Sequence, residues 1–291
     1  MRILVLGGGS FVGRAIVETL VAESDEPTLF SRGLTGVELF PSVPRLLGDR
    51  DTGDYTALKG GSWDAVVDVS GYVPRHVDQA MDALGDRVGR YLFMSTHAVY
   101  VQEGVGPGSD EDTPLRPPVR EPDQLTDATY GPAKVACEQA ILARFGQRAS
   151  IVRPGKVAGP HDNQDGLTYW VHAAARGGRV ELPGDPAQPV QLIDVRDLAG
   201  LVVRLLADDR GGAYNAMGPS MSITEVIETC AVAAGTSVEI VPAADPAKRL
   251  PLLQPTWPWS TRQRSAAKAR AAGMPTTPLS VTAADVLADL T

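Results

Sequence analysis

The stretch from Arg2 to Leu20 reads RILVLGGGSFVGRAIVETL. A short apolar, β-branched run ends in three glycines and passes at once into apolar positions at helical spacing. A strand that turns this tightly into a helix commits the chain to more of the same, because parallel strands cannot be joined by a hairpin and need a crossover. The following residues keep that rhythm. EPTLFS, VPRLLGD, WDAVVDVS, GRYLFMST and ASIVRPG read as strands, and RHVDQAMDALG and YGPAKVACEQAILARFG read as helices. The expected class is α/β, a doubly wound parallel sheet. Val101 to Thr129 breaks the rhythm. It is rich in proline, glycine and acids, and a loop of that length in a compact domain is usually functional.

After Gly155 the regularity weakens. GLTYWVHAAARGG, VRDLAGLVVRLLAD and ITEVIETCAVAAG read as helices, VQLID and GAYNAM as short strands, and two short helices close the chain. Ser222 with Glu225 three residues on predicts a capping box. Pro242 to Ser260 shows no period.

Composition narrows the function classes. The 291 residues carry a formal net charge of −8, which opposes general binding to nucleic-acid backbones. The opening apolar run is cut by glycines, a poor secretory signal and a poor membrane span. Cys137 and Cys230 lack metal-ligand spacing and read as buried small hydrophobes. No metal site is expected, and the cytoplasm is the expected compartment.

A glycine turn between strand and helix suits a dinucleotide, whose pyrophosphate needs close backbone approach and free N–H groups at a helix start. Gly7, Gly8 and Gly9 supply the turn, with Phe11 and Val12 beside it, and Gly13 lets helix and strand pack closely. Ser10 stands where the usual pattern has its middle glycine. It is tolerable if that position needs no positive φ, and its hydroxyl can donate to a phosphate. The second strand ends in Ser31 and Arg32, where NAD sites usually place an acid. A guanidinium favours a 2′-phosphate, so NADP(H) is expected over NAD(H). Arg14 is a further phosphate candidate, and Asp49 lies where an acid can bond the adenine amine.

Tyr130 and Lys134, four residues apart in YGPAK, share one helix face. A cationic lysine beside a phenol lowers its pKa. Upstream, FMSTHAVY ends a strand with the hydroxyls of Ser95 and Thr96, which can bond a substrate oxygen.

GGGSFVGR, STHAVY, YGPAK, RPGKVAGP and QLIDVRDLAG together resemble, in order and over nearly the whole chain, the extended and atypical branch of the short-chain dehydrogenase/reductase superfamily. This is the NAD(P)-dependent epimerase/dehydratase group. The resemblance implies a Rossmann domain over residues 1–155, to which 190–216 return, and a small α/β substrate domain from 156–189 and 217–291. It implies Thr96 as the catalytic hydroxyl, Tyr130 as acid/base, and Lys134 on the nicotinamide ribose. It puts Ser70 and Gly71 along the cofactor and Pro154 and Gly155 near the nicotinamide amide. Family members also pair through helices on the Rossmann domain, so a homodimer is an expectation. Two departures stand out. The Asp-Glu pair of sugar 4,6-dehydratases is replaced by His97 and Ala98, which argues against a dehydratase. The stretch between Thr96 and Tyr130 is long, and either forms a lid or carries Tyr130 out of reach.

On the substrate side Lys156 can bind a carboxylate or phosphate, and His97 can serve as a second acid/base. His161, Arg196 and Trp257 are the further substrate-binding candidates, and Trp259 accompanies Trp257. Three functions compete for a small-molecule site of this kind. The first is an NADP(H)-dependent oxidoreductase acting on a small polar carbonyl or alcohol. The second is a redox-neutral epimerase or lyase that uses His97. The third is a non-catalytic dinucleotide sensor or RNA-associated protein.

Overall fold

The computed structural model describes residues 1–246, 248–253 and 257–290. Along the chain the strands are β1 (Arg2–Leu6), β2 (Glu26–Ser31), β3 (Arg45–Leu47), β4 (Trp63–Asp68), β5 (Val88–Met94), β6 (Ala149–Pro154), β7 (Lys156–Ala158), β8 (Gly178–Leu182), β9 (Pro189–Asp194), β10 (Gly212–Ala216), β11 (Ser220–Ser222) and β12 (Val238–Pro242). The helices are α1 (Phe11–Ala22), α2 (Pro74–Leu84), α3 (Tyr130–Phe145), α4 (Gly166–Ala175), α5 (Val195–Ala207), α6 (Ile223–Ala233), α7 (Ala267–Ala271) and α8 (Leu279–Asp289).

Seven strands form one parallel sheet in the order β10-β6-β5-β4-β1-β2-β3. The alternation within β1 explains the two layers. Ile3 and Val5 face one core with α1 and α5, and Leu4 and Leu6 face the other with α2 and α3. All four are fully buried, as a parallel strand covered on both faces requires. Strand order reverses at β1, between β2 and β4, and the crevice at the carboxyl ends there is where such sheets bind ligands.

A third core lies beyond this sheet. Trp170 and Leu167 of α4 pack with Val226 and Ile227 of α6, Val286 of α8, and Val180, Leu182 and Val190 of the small strands. Those strands form a three-stranded sheet, β11-β9-β7, and a two-stranded one, β12-β8. β9 runs straight into α5, whose first turn is capped by the carboxylate of Asp194, which accepts the N–H of Arg196 at 2.8 Å. α6 begins with the reciprocal capping box of Ser222 and Glu225. β7, β8, β11 and β12 had no sequence signal: KVA and SMS are only three residues long, and GRVEL and VEIVP carry charges and are mostly not buried, so neither makes an apolar run. Both cysteine thiols are buried, and burial raises each to about 12.

Residues 101–129 form no helix or strand but are tied down. Val101 N–H donates to Pro114, Arg116 N–H to Val99, and Gly108 N–H to Gln263. The Ser265 N–H donates to Ser109, and Glu111 accepts the N–H of Asn215 in β10.

Candidate active site

A cavity of about 550 Å³ runs along the carboxyl ends of β1, β2, β4, β5 and β6. At its centre is the glycine turn. Gly7 and Gly8 take positive φ (102° and 142°), which only glycine adopts without strain. Gly9 lies so close to the loop after β2 that a Cβ on it would meet the Thr35 carbonyl oxygen, and a Cβ on Gly36 would meet that of Gly9. Gly13 packs on the backbone of Gly8. Ser10 has φ −154°, extended backbone that any residue adopts, so the missing glycine costs nothing there. The positive φ falls instead on Phe11 (33°), a buried ring held in the first core. No side chain caps α1, and Ser10, itself exposed, precedes its first N–H groups. An uncapped helix start beside a glycine turn fits a pyrophosphate. Val12 completes this wall.

The far end of the cavity is lined by Ser31, Arg32, Asp49, Arg50, Asp51 and His76. Arg32 is exposed, and its guanidinium lies 4.0 Å from the carboxylate of Asp51. Asp49 turns its carboxylate back onto the N–H of Asp51 at 2.9 Å. Arg50 is buried in a two-bond pair with Asp68 (2.6 and 2.9 Å) and also donates to Ser70 Oγ at 3.0 Å. Sequence reading took Asp49 from GDRD and missed Arg50 and Asp51, since nothing in the string says which residue of a turn points inward. Arg14 does not face the cavity; it pairs with Glu18 on the surface of α1 at 2.8 Å.

At the other end Thr96 and Tyr130 come together. Both residues line the cavity, so the long stretch before Tyr130 does not carry it out. Burial raises the phenol to about 12, Tyr72 adds to the rise, and the Thr96 side chain opposes it. Lys134 is buried one turn on. Its Nζ donates to the carbonyls of Gly71 (2.8 Å) and Met94 (2.6 Å) and sits 4.0 Å from the Phe93 ring centroid. Burial lowers it to about 8. The expectation that Lys134 lowers the Tyr130 phenol is therefore corrected: the ammonium is held by backbone carbonyls, and desolvation dominates the phenol. Ser70, Pro154 and Gly155 line the cavity; Gly71 lies behind it, buried, with its carbonyl on Lys134.

Ser95 lines the cavity, but its hydroxyl proton is already committed. Its hydroxyl donates to Glu138 at 2.5 Å, in a buried network where Glu138 also takes two bonds from Arg153 (3.0 and 2.6 Å). Arg153 continues to the Tyr100 hydroxyl at 2.8 Å, and Tyr100 to Asn215 at 2.7 Å. Sequence reading missed Glu138, two turns beyond Tyr130, because a buried acid leaves no pattern.

His97 lines the cavity with its ring centroid 5.9 Å from that of Trp257. Burial pushes its imidazole down to about 3, and Arg264, Lys156 and Arg262 add to the fall, so it is neutral near pH 7. Lys156 and Trp257 also line the cavity. His161 and Arg196 do not line it. His161 Nδ1 lies 2.8 Å from an Asp289 carboxylate oxygen, and Arg196 bridges Asp194 (2.7 Å) and Asp285 (2.6 Å), tying α5 to α8. Trp259 is exposed and lies outside the cavity.

Among the described residues no cluster of three or more His, Cys, Asp or Glu could hold a metal, and no helix is long and apolar enough to cross a membrane. The fold and the trough define the nucleotide-dependent epimerase and reductase class, and the comparisons agree. The profile of the NAD dependent epimerase/dehydratase family matches residues 3–216, and the chain belongs to that family. This family holds NAD(P)-dependent epimerases, dehydratases and reductases of the short-chain dehydrogenase/reductase type. The chain is 24% identical to the chloroplast stem-loop binding protein of 41 kDa b of Arabidopsis thaliana, over 80% of this chain and 63% of that one. It is 29% identical to the 2-alkyl-3-oxoalkanoate reductase of Stenotrophomonas maltophilia, over 65% and 60%. It thus spans about three-fifths of the length of both curated relatives. The UDP-glucose 4-epimerase of Thermus thermophilus, solved with NAD, superposes with a TM-score of 0.72 at 21% identity, over 99% of this chain and 98% of that one.

Proposed function

We propose that the chain is an NADP(H)-dependent oxidoreductase that interconverts a small polar carbonyl and its alcohol. One observation carries this reading: a single trough joins the glycine turn, Arg32 and the Thr96–Tyr130–Lys134 group. The bound dinucleotide supplies or accepts the hydride. The chain's own residues do the rest. The uncapped start of α1 and Ser10 hold the pyrophosphate. Arg32 holds a 2′-phosphate, and Lys134, already anchored on two carbonyls, has a third N–H for the nicotinamide ribose. Thr96 orients the substrate oxygen. Tyr130, protonated near pH 7, donates its proton to that oxygen as the carbonyl is reduced and takes it back in the reverse direction.

The neutral state of His97 favours this reading over a lyase or epimerase in which His97 donates a proton. A relative named as a reductase points the same way. The reading includes a homodimer in the cytoplasm, with light scattering as the check on assembly. The deciding experiment is native mass spectrometry followed by titration with NADPH and NADH. Reversible, tighter binding of NADPH supports the oxidoreductase. Tightly retained nucleotide that does not exchange supports the redox-neutral alternative, and failure to bind either dinucleotide overturns both.

A further inference from the structure

The end of the trough nearest β2 holds a buried imidazole. His76, in the first turn of α2, is 7% exposed and lines the cavity. Among the described residues neither of its ring nitrogens has a hydrogen-bond partner. Nε2 stands 3.2 Å from Oδ1 of Asp51, the carboxylate whose Oδ2 lies 4.0 Å from Arg32 Nη1. Arg32 and Asp51 line the cavity beside it. A buried polar ring without a hydrogen bond costs free energy, which a ligand in the cavity can recover.

The ring is placed by its own backbone. The His76 carbonyl accepts from Arg50 Nη2 and from the Tyr55 hydroxyl, both at 2.9 Å, and Asp68 at the end of β4 holds Arg50 in turn. The charges that reach the imidazole are Arg50 and Asp51 from the loop after β3, Asp68 from β4 and Arg75 from α2 itself. Arg32, at the end of β2, lies beyond Asp51, and Asp49 keeps its carboxylate on the Asp51 N–H. Burial holds the imidazole below its usual range, Arg50 adds to the fall and Asp51 opposes it, so the ring is neutral near pH 7 in the free chain. A phosphate monoester brings about two negative charges. At this end of the trough it meets Arg32 but also the Asp51 carboxylate. A proton on His76 neutralises that carboxylate and adds a second cation beside the phosphate. A ribose hydroxyl in the same place makes no such demand.

We propose that His76 is a cofactor-selecting residue: it takes up a proton when a 2′-phosphate enters, pairs with Asp51, and makes the preference for NADP(H) over NAD(H) fall as pH rises. The proposal rests on the dinucleotide reading of the trough. It needs neither an overall preference for NADP(H) nor proton transfer by Tyr130.

The test is isothermal titration of the full chain with NADP⁺ and with NAD⁺ from about pH 6.5 to about pH 8.5, where the phosphate, with a second pKa of about 6, is mostly doubly charged. The nicotinamide half, with Lys134, is common to both ligands, so the ratio of the two affinities isolates the 2′ end. The preference for NADP⁺ is expected to fall by about threefold or more across that range. His76→Gln should hold the ratio level. Asp51→Asn, at an exposed side chain, should raise the NADP⁺ preference at the alkaline end and move the remaining slope to lower pH, because Asp51 is a carboxylate that favours the ring's proton. A level ratio in the parent chain overturns the proposal, as does a slope that survives in His76→Gln or one unchanged in Asp51→Asn. A chain that favours NAD⁺ at every pH, with the His76-dependent slope intact, overturns the NADP(H) reading alone. Failure to bind either dinucleotide overturns both.

Discussion

The guanidinium of Arg32 faces the carboxylate of Asp51 at 4.0 Å, across the end of the trough where the second strand stops. His76 stands on the other side of that carboxylate, with Nε2 3.2 Å from it. On the NADP(H) reading proposed above, Arg32 is the cation offered to a 2′-phosphate, and Asp51 is the charge that opposes one. Arg32→Ala should weaken NADPH by about tenfold or more and NADH far less. Asp51→Asn should shift preference further toward NADPH. Fluorescence titration with both dinucleotides reads both changes, and equal losses for the two in Arg32→Ala would remove Arg32 from cofactor choice.

Tyr130→Phe removes a proton donor and leaves the cavity shape nearly intact. Turnover should fall by about a hundredfold or more, with dinucleotide affinity within a few-fold of the parent. Full turnover in that variant would sink the acid/base role.

Burial pulls Lys134 below the ordinary lysine range. Its folded value, about 8, compares with 10.5 for an ordinary lysine. The ammonium is present below pH 8 and lost above it, so kcat/KM should decline on the alkaline side with a midpoint near 8. The unfolded chain binds this proton more tightly, so the same group makes the folded state relatively more stable as pH rises from about 8 to 10.5. A kcat/KM profile flat to pH 10 would contradict the assignment.

His97 acts on stability at the other end of the scale. Its folded value, about 3, lies below the ordinary 6.5. Stability from keeping the ring neutral is present above about 6.5 and lost as pH falls toward 3, because the unfolded chain takes the proton first. Thermal midpoints should drop from pH 7 to pH 4, and His97→Asn should flatten that drop; an unchanged slope would show that other groups set it.

Glu138 and Arg153 are a buried pair that ties Ser95, next to Thr96, to helix α3. Removing one partner strands the other's charge, at a cost of about 3–5 kcal/mol. Glu138→Ala should therefore destabilise the fold strongly in urea unfolding, while Ser95→Ala should cost far less. Similar small effects from both would mean that the pair is not buried in solution.

The strands of the large sheet were legible because each is an apolar run bounded by glycine, proline or acid, and the period changes cleanly at each helix. That Thr96, Tyr130 and Lys134 line one cavity follows from positions the sequence makes plain: one follows a strand end and two share a helix face. What the sequence hid were residues whose role depends on distant neighbours. Arg262 and Arg264 follow a proline- and tryptophan-rich segment without period, yet they stand around His97. Arg196 and His161 looked like site residues because they flank recognisable motifs, but carboxylates from α8 claim them both. Ser95 and Thr96 are adjacent and chemically alike; only the buried Glu138 decides which hydroxyl is left for a substrate.

The contact between Gly9 and Gly36 means that the glycine turn after β1 is written in two places. Each glycine leaves room for the other's carbonyl or its neighbour's, so they form one requirement separated by the whole of α1 and β2. Exchanging one for alanine cannot be repaired by a change at the other, since both clashes are with backbone. Attempts to recode cofactor choice by grafting a new loop after β2 will fail unless Gly36 keeps its register, whatever residue replaces Arg32.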